Sequence, residues 1–150
     1  MKVIYCDGAC KGNPGLSGSG VVVFDNDKPI SKWIGGFQKQ GTNNIAELKA
    51  MQMALYLAKK MNINIIRTDS QYVINTITKW ASSWEAKGWK KKGGIKNLEL
   101  VKAIYEEYKT FKDIQIEYVK GHSGDKGNDL ADQLANEAIL KQATKWTKGE

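Results

Sequence analysis

KVIYCDGAC, Lys2 to Cys10, reads as a β-strand that carries a carboxylate where a strand inside a sheet buries something apolar. Alternation puts Val3, Tyr5, Asp7 and Ala9 on one face and Ile4, Cys6, Gly8 and Cys10 on the other. Both faces are otherwise apolar or small, the pattern of a central strand covered on two sides. An anion near the end of such a strand is costly to bury unless a cation or strong hydrogen bonds hold it. Asp7 is therefore the residue to explain, although an aspartate at that place also serves to cap a turn. The segment after it, KGNPGLSGSG, reads as a glycine-rich turn that bends the chain sharply and admits close approach.

Outward from this strand, GVVVFDNDKPISKWIGGFQ is expected to form a hairpin, Gly20–Phe24 pairing with Ile30–Phe37. Asp25 and Asp27 fall in its turn, where acids are ordinary. Thr42 to Met61 contains no glycine or proline and reads as a helix, with Thr42 or Asn43 as N-cap. At about 100° per residue, Lys49, Gln52, Tyr56, Lys59 and Lys60 share one side. Glu47 falls opposite, with Met51, Ala54, Leu55 and Ala58. A second carboxylate thus points inward, although the helix dipole also favours an acid in the first turns.

Ile63–Thr68 is a short apolar run between helices, as in a parallel crossover, and it ends in Asp69. Ligands gather at the C-terminal ends of such strands, and Asp69 also suits a helix cap. A short helix, Tyr72–Thr78, is expected next. In KWASSWEAKGWKKKGGIK, from Lys79 to Lys96, three of the five tryptophans alternate with six lysines. Rings beside bases suit a nucleic-acid strand, with lysines on phosphates; the same helical aromatic spacing also serves a core. Asn97–Phe111 reads as an amphipathic helix and Asp113–Val119 as a strand. The loop KGHSGDKGND follows, with the only histidine, His122, suited to carrying a proton near neutral pH. The last helix runs from Asn128 to about Ala143. On its wheel Asp132 borders the apolar face while Asp129 points to the polar side. Residues 143–150 are expected to fray.

The 150 residues suit one domain, 1–150. Twenty-three Lys and Arg against sixteen Asp and Glu give a net charge of +7, which attracts polyanions. Cys6 and Cys10, roughly 13 Å apart along one strand, are too distant for a disulfide and fit free thiols in a reducing cytoplasm. One histidine and two cysteines exclude a zinc ribbon. The N-terminus has no secretion-signal core and no apolar run approaches a membrane span. Cytoplasmic localisation, no membrane contact and a monomer are the expectations.

Four acids from separate elements, Asp7, Glu47, Asp69 and Asp132, share an inward tendency. Oxygen ligands alone fit Mg²⁺ or Mn²⁺ rather than zinc or copper, and two such ions can drive phosphodiester hydrolysis.

Five stretches carry a family resemblance: DGACKGNPG (Asp7–Gly15), TNNIAEL (Thr42–Leu48), TDSQYVINTI (Thr68–Ile77), WASSWEAKGWK (Trp80–Lys90) and GHSGDKGNDLADQLA (Gly121–Ala135). Together, in this order and across nearly the whole chain, they resemble ribonuclease HI. The resemblance implies the ribonuclease H fold, an α/β architecture with a five-stranded mixed sheet in order 3-2-1-4-5 and helices on both faces. It implies endonucleolytic cleavage of RNA in an RNA/DNA hybrid with Mg²⁺, or Mn²⁺ as substitute. It makes Asp7, Glu47, Asp69 and Asp132 the metal-binding catalytic acids and His122 the proton shuttle. Asn13, Asn43, Asn44 and Gln71, with the backbone near Cys10, match positions that read RNA 2′-hydroxyls. Thr42 and Asn97 match a pocket for a DNA phosphate. Trp80 and Trp84 match the channel for the DNA strand, within a basic handle at 79–98. Glu85 and Ala86 depart from the pattern by standing where relatives often carry bases, which lowers the expected handle charge. Two other classes remain open: a hybrid-binding module with an idle site, and a metal-dependent nuclease of the same fold acting on DNA.

Overall fold

The computed structural model describes residues 1–150. Strand β1 (Lys2–Lys11) divides its side chains as alternation requires. Ile4 and Cys6 enter one hydrophobic core, and Val3 and Tyr5 enter another on the opposite face. β2 (Gly15–Asp25) and β3 (Lys28–Gly41) complete an antiparallel meander with β1. Helix α1 (Asn43–Met61) crosses to β4 (Ile65–Thr68), which lies parallel to β1. Three helical pieces follow: α2 (Gln71–Asn75), a π-helical turn at Thr76–Trp80, and α3 (Ala81–Ala86). α4 (Leu98–Lys109) leads to β5 (Gln115–Tyr118), parallel to β4, and α5 (Lys126–Leu140) leads to β6 (Thr147–Lys148). The sheet order is β5-β4-β1-β2-β3-β6. Its first five positions are the expected 3-2-1-4-5 order seen from the other edge. The sixth strand is an addition.

The two faces are filled unequally. Leu48, Met51 and Leu55 of α1 join Val21, Val23 and Ile66 of the sheet and Val101 and Ile104 of α4 in the larger core. On the other face Ala131, Leu134 and Ala138 of α5 meet Val3, Val22 and Phe24. Each fully buried Leu, Ile or Val contributes about 1.5–3 kcal/mol.

Part of the glycine-rich segment read as a turn is strand. Only Gly12–Pro14 turn, and Gly18 and Gly20 lie inside β2. Their use is close approach: a Cβ on Gly20 would stand 2.5 Å from the Ala135 nitrogen, and one on Gly18 2.9 Å from the Ala135 oxygen. A trench of absent side chains thus lets α5 lie against the sheet. The helix expected at 72–78 continues to Ala86 through the π-helical turn, so Trp80 and Trp84 stand on helix at the four-residue spacing. α5 starts two residues earlier than its apolar pattern indicates, because the Asp125 carboxylate accepts from the Asn128 N–H at 3.0 Å and caps it.

The expectation that residues 143–150 fray is also corrected. Thr147 and Lys148 pair with Ile34 and Trp33, and the Gly149 N–H donates to the Lys32 carbonyl at 2.9 Å. The Trp146 ring lies over Gly35, where a Cβ would come within 2.5 Å of it, and the Lys148 ammonium stands 4.5 Å from the Trp33 ring centre. The tail is polar in composition, but one tryptophan seated on a glycine anchors it. Trp146→Ala is expected to destabilise the fold by about 1–3 kcal/mol, read as a lower urea midpoint with an unchanged slope. An unchanged midpoint would return the tail to a frayed end.

Candidate active site and metal centre

The register of β1 with β4 sets the site. Ile4 pairs with Ile66 and Tyr5 with Arg67; continued by two residues, the same offset brings Asp7 beside Asp69. Asp7 lies within β1 just past its residues paired in parallel with β4, and Asp69 follows the C-terminal end of β4. Glu47 arrives from α1. Its helix is started by Thr42, whose Oγ1 accepts from the Ile45 N–H at 3.1 Å, and by Asn13, whose Oδ1 accepts from the Asn43 N–H at 3.1 Å. The Ser19 hydroxyl donates to the Ala46 carbonyl at 2.7 Å. Gly8 completes the approach, since a Cβ there would lie 2.5 Å from the Glu47 nitrogen. The helix therefore meets the strand one residue after Asp7.

One oxygen each from Asp7, Glu47 and Asp69 falls within 4.8 Å of the others. Asp7 is 4 % exposed and Glu47 5 %. The Gly8 N–H donates to Asp7 Oδ1 at 2.9 Å, while Glu47 Oε2 is buried with no partner. Burial first, then the charge of Glu47, pushes the Asp7 carboxyl well above its ordinary range. Burial likewise raises Glu47, with the charges of Asp69 and Asp132 adding to it, while hydrogen bonding to Asp7 and to the Gly8 backbone holds it back. A buried, mutually repelling set of carboxylate oxygens, one of them orphaned, fits a hard divalent cation.

The cluster opens into a cavity of about 460 Å³. Asp132 lines it from α5, outside the tight triad but close enough to raise both buried acids. Asp129 does not line it. His122 lines it from an exposed loop position at φ 55°. Cys10 and Asn43 line it as well, the Cys10 thiol turned toward the carbonyls of Gly12 and Gly41 at 3.4 and 3.6 Å.

The remaining candidates lie outside this cavity. Asn44 is exposed in the first turn of α1 and Gln71 is exposed at the start of α2. Thr42 and Asn13 serve the α1 N-terminus. Asn97 adopts a left-handed conformation ahead of α4, and its amide donates to the Tyr72 hydroxyl at 3.3 Å. Trp80 and Trp84 stand with ring centres 6.2 Å apart over a second cavity of about 510 Å³, shared with Tyr72, Lys91, Lys92 and Lys96. Trp89 instead packs on Tyr105 at 6.0 Å, a core contact. Glu85 does not act as a free negative charge in this handle, because Lys109 pairs with it at 2.6 Å.

The RNase H family model matches residues 1–140. The chain belongs to the RNase H family. It is 44 % identical over 145 residues to the Ribonuclease H of Ruthia magnifica subsp. Calyptogena magnifica, covering 95 % of this chain and 97 % of that one. It is 44 % identical over 142 residues to the Ribonuclease HI of Caulobacter vibrioides, covering 93 % of each. The solution structure of the PFV RNase H domain superposes with a TM-score of 0.80 at 27 % identity, over 93 % of this chain and 94 % of that one. The shared RNase H fold accounts for the sheet order and for acids arriving from both of its faces.

Sequence reasoning passed over Asn128, Ser70 and Asn136. Ser70 and Asn136 line the acidic cavity, and Asn128 donates to Asp69 behind it. The legible signal was spacing, since Asn128, Asp132 and Asn136 recur every four residues along one helix face.

Because burial raises Asp7 and Glu47, the folded chain binds their protons more tightly than the unfolded chain does. Their contribution to metal-free stability is therefore fully present at low pH and is lost as pH rises above the ordinary carboxyl range near 4. In EDTA at pH 8, Asp7→Asn is expected to be more stable than the parent by about 1–3 kcal/mol, roughly 3–10 °C in Tm. The gain shrinks toward pH 4. Thermal melts at the two pH values check both sign and trend.

Proposed function

We propose that this chain is a metal-dependent endoribonuclease that hydrolyses the RNA strand of RNA/DNA hybrids, leaving 5′-phosphate and 3′-hydroxyl ends. The observation that carries the reading is the triad of buried Asp7 and Glu47 with half-buried Asp69, and its orphaned Glu47 oxygen, in a chain of the RNase H family. These three acids, with Asp132 at the rim, would hold Mg²⁺, for which Mn²⁺ can substitute; such ions activate water and offset charge on a phosphodiester. The protein's own part is positioning. Asp7, fixed by the Gly8 N–H, presents its free oxygen to the cavity together with Asp69. His122, on a solvent-exposed loop, carries a proton between the cavity and bulk water as product leaves.

Recognition falls to the rim. Asn43 and Cys10 in the cavity, with Asn13, Asn44 and Gln71 around it, read 2′-hydroxyls of the RNA strand. Trp80 and Trp84 pack on the sugars of the DNA strand while Lys91, Lys92 and Lys96 meet its phosphates. Thr42 and Asn97 hold a further DNA phosphate. No helix is long and apolar enough to cross a membrane, and a cytoplasmic monomer is the form we assign.

The experiment is cleavage of an end-labelled RNA/DNA hybrid with Mg²⁺, beside RNA/RNA and DNA/DNA duplexes. Cutting of the hybrid's RNA strand alone is expected. Asp7→Asn should lower the rate on the order of 10³-fold, about 4 kcal/mol of barrier, and His122→Ala about 10²-fold. Hybrid binding without cutting in Mg²⁺ or Mn²⁺ would leave a recognition module, and cutting of duplex DNA would make the chain a different nuclease.

A further inference from the structure

Asp69 is held from behind by a residue that does not line the cavity. Asn128 is 2 % exposed, and its Nδ2 donates to Asp69 Oδ2 at 3.2 Å. The amide orientation is fixed by chemistry, because an ionised carboxylate only accepts and the NH₂ must face it. The other amide atom, Oδ1, is buried with no partner. A fold selected for stability alone gains little from an amide half of whose hydrogen-bonding capacity is lost to burial. Its one side-chain partner is a proposed metal-binding acid.

Asn128 also sits where two parts of the site join. Its backbone N–H is capped by Asp125 at 3.0 Å, and Gly127 before it lies so close to the Tyr5 ring that no side chain fits. Asp132 lies one turn on, at i+4 of the same helix. A Cβ at Gly121 would stand 2.9 Å from the same Oδ2. That oxygen therefore lies against both the His122 loop and the first turn of α5.

The geometry points to Asn128 as a positioning residue that ties the Asp69 carboxylate to the first turn of α5 and so sets the spacing of Asp69 and Asp132 for a divalent cation. This inference rests on the reading of the acidic cluster as a metal site. A ligand carboxylate oriented from outside the coordination sphere keeps its place before the cation arrives, which raises affinity without adding a ligand.

The test uses Asn128→Leu, which keeps the branched shape without the polar atoms, Asn128→Ala, which removes it, and Asp69→Asn. Mg²⁺ binding to the hybrid-free protein is followed by the Gly8 and Gly121 amide resonances, metal-free Tm is measured in EDTA, and kcat and KM are measured at low and saturating Mg²⁺. Both Asn128 variants are expected to bind Mg²⁺ roughly 10- to 100-fold more weakly. KM for hybrid at saturating Mg²⁺ should be unchanged, and the metal-free Tm of Asn128→Leu should equal or exceed the parent's. Parental Mg²⁺ affinity in both variants would overturn the inference. So would a loss in Asn128→Ala that Asn128→Leu does not share, which would make the side chain a packing element. If Asp69→Asn weakens Mg²⁺ binding and the Asn128 variants do not, this inference alone fails. If Asp69→Asn also binds as the parent does, the metal reading fails and carries this one with it.

Discussion

Asp7, Glu47 and Asp69 repel one another, and the architecture around them exists in tension with that repulsion. Like charges a few ångströms apart in a medium poorer than water cost several kcal/mol. They stay together because each is carried by an element whose place is fixed by something else. β1 is paired on both sides, β4 is locked to it in parallel register, and α1 is drawn onto β1 by a hydrophobic core that includes Leu48 and Met51. Gly8 removes the one side chain that would hold α1 off. The apolar core thus supplies the free energy that a cluster of acids consumes, and a cation returns part of it.

The two helices that bring acids to the sheet use the same device on opposite faces. α1 closes on β1 at Gly8, and α5 closes on β2 at Gly18 and Gly20, where Ala131, Leu134 and Ala135 take the space a side chain would occupy. Small residues at the crossing fix depth, and depth fixes where Glu47 and Asp132 reach. The difference in burial follows. Glu47 enters beside the centre of the sheet and is sealed, whereas Asp132 comes from the outer turn of α5 and stays half-buried at the rim.

Much of this was legible from periodicity. Alternation along Lys2–Cys10 identified the buried strand, and the helical wheel chose Glu47 as inward and Asp132 over Asp129, as the cavity lining bears out. What escaped was set by contacts far apart in sequence. Glycines that read as a turn are strand positions because a helix 111 or more residues later rests on them. A polar tail is ordered because Trp146 finds Gly35. Asn128 looked like the start of a helix; its spacing with Asp132 gives the shared face, but that its side chain reaches Asp69 depends on a strand far away in sequence.

The acids that make the site chemically useful also make it repel a phosphate backbone, so attraction has to come from elsewhere on the chain. A net charge of +7 supplies it at long range. Lys91, Lys92 and Lys96 concentrate it around the Trp80–Trp84 pair, outside the acidic cavity, and Glu85 subtracts little because Lys109 holds it. On the proposed reading, binding energy and reactive charge are kept on separate elements: lysines and rings on the α3 side, carboxylates within β1 and just after β4. On the same reading, a polyanion held by the first group would be presented to the second, and a divalent cation held by the carboxylates would offset the remaining repulsion.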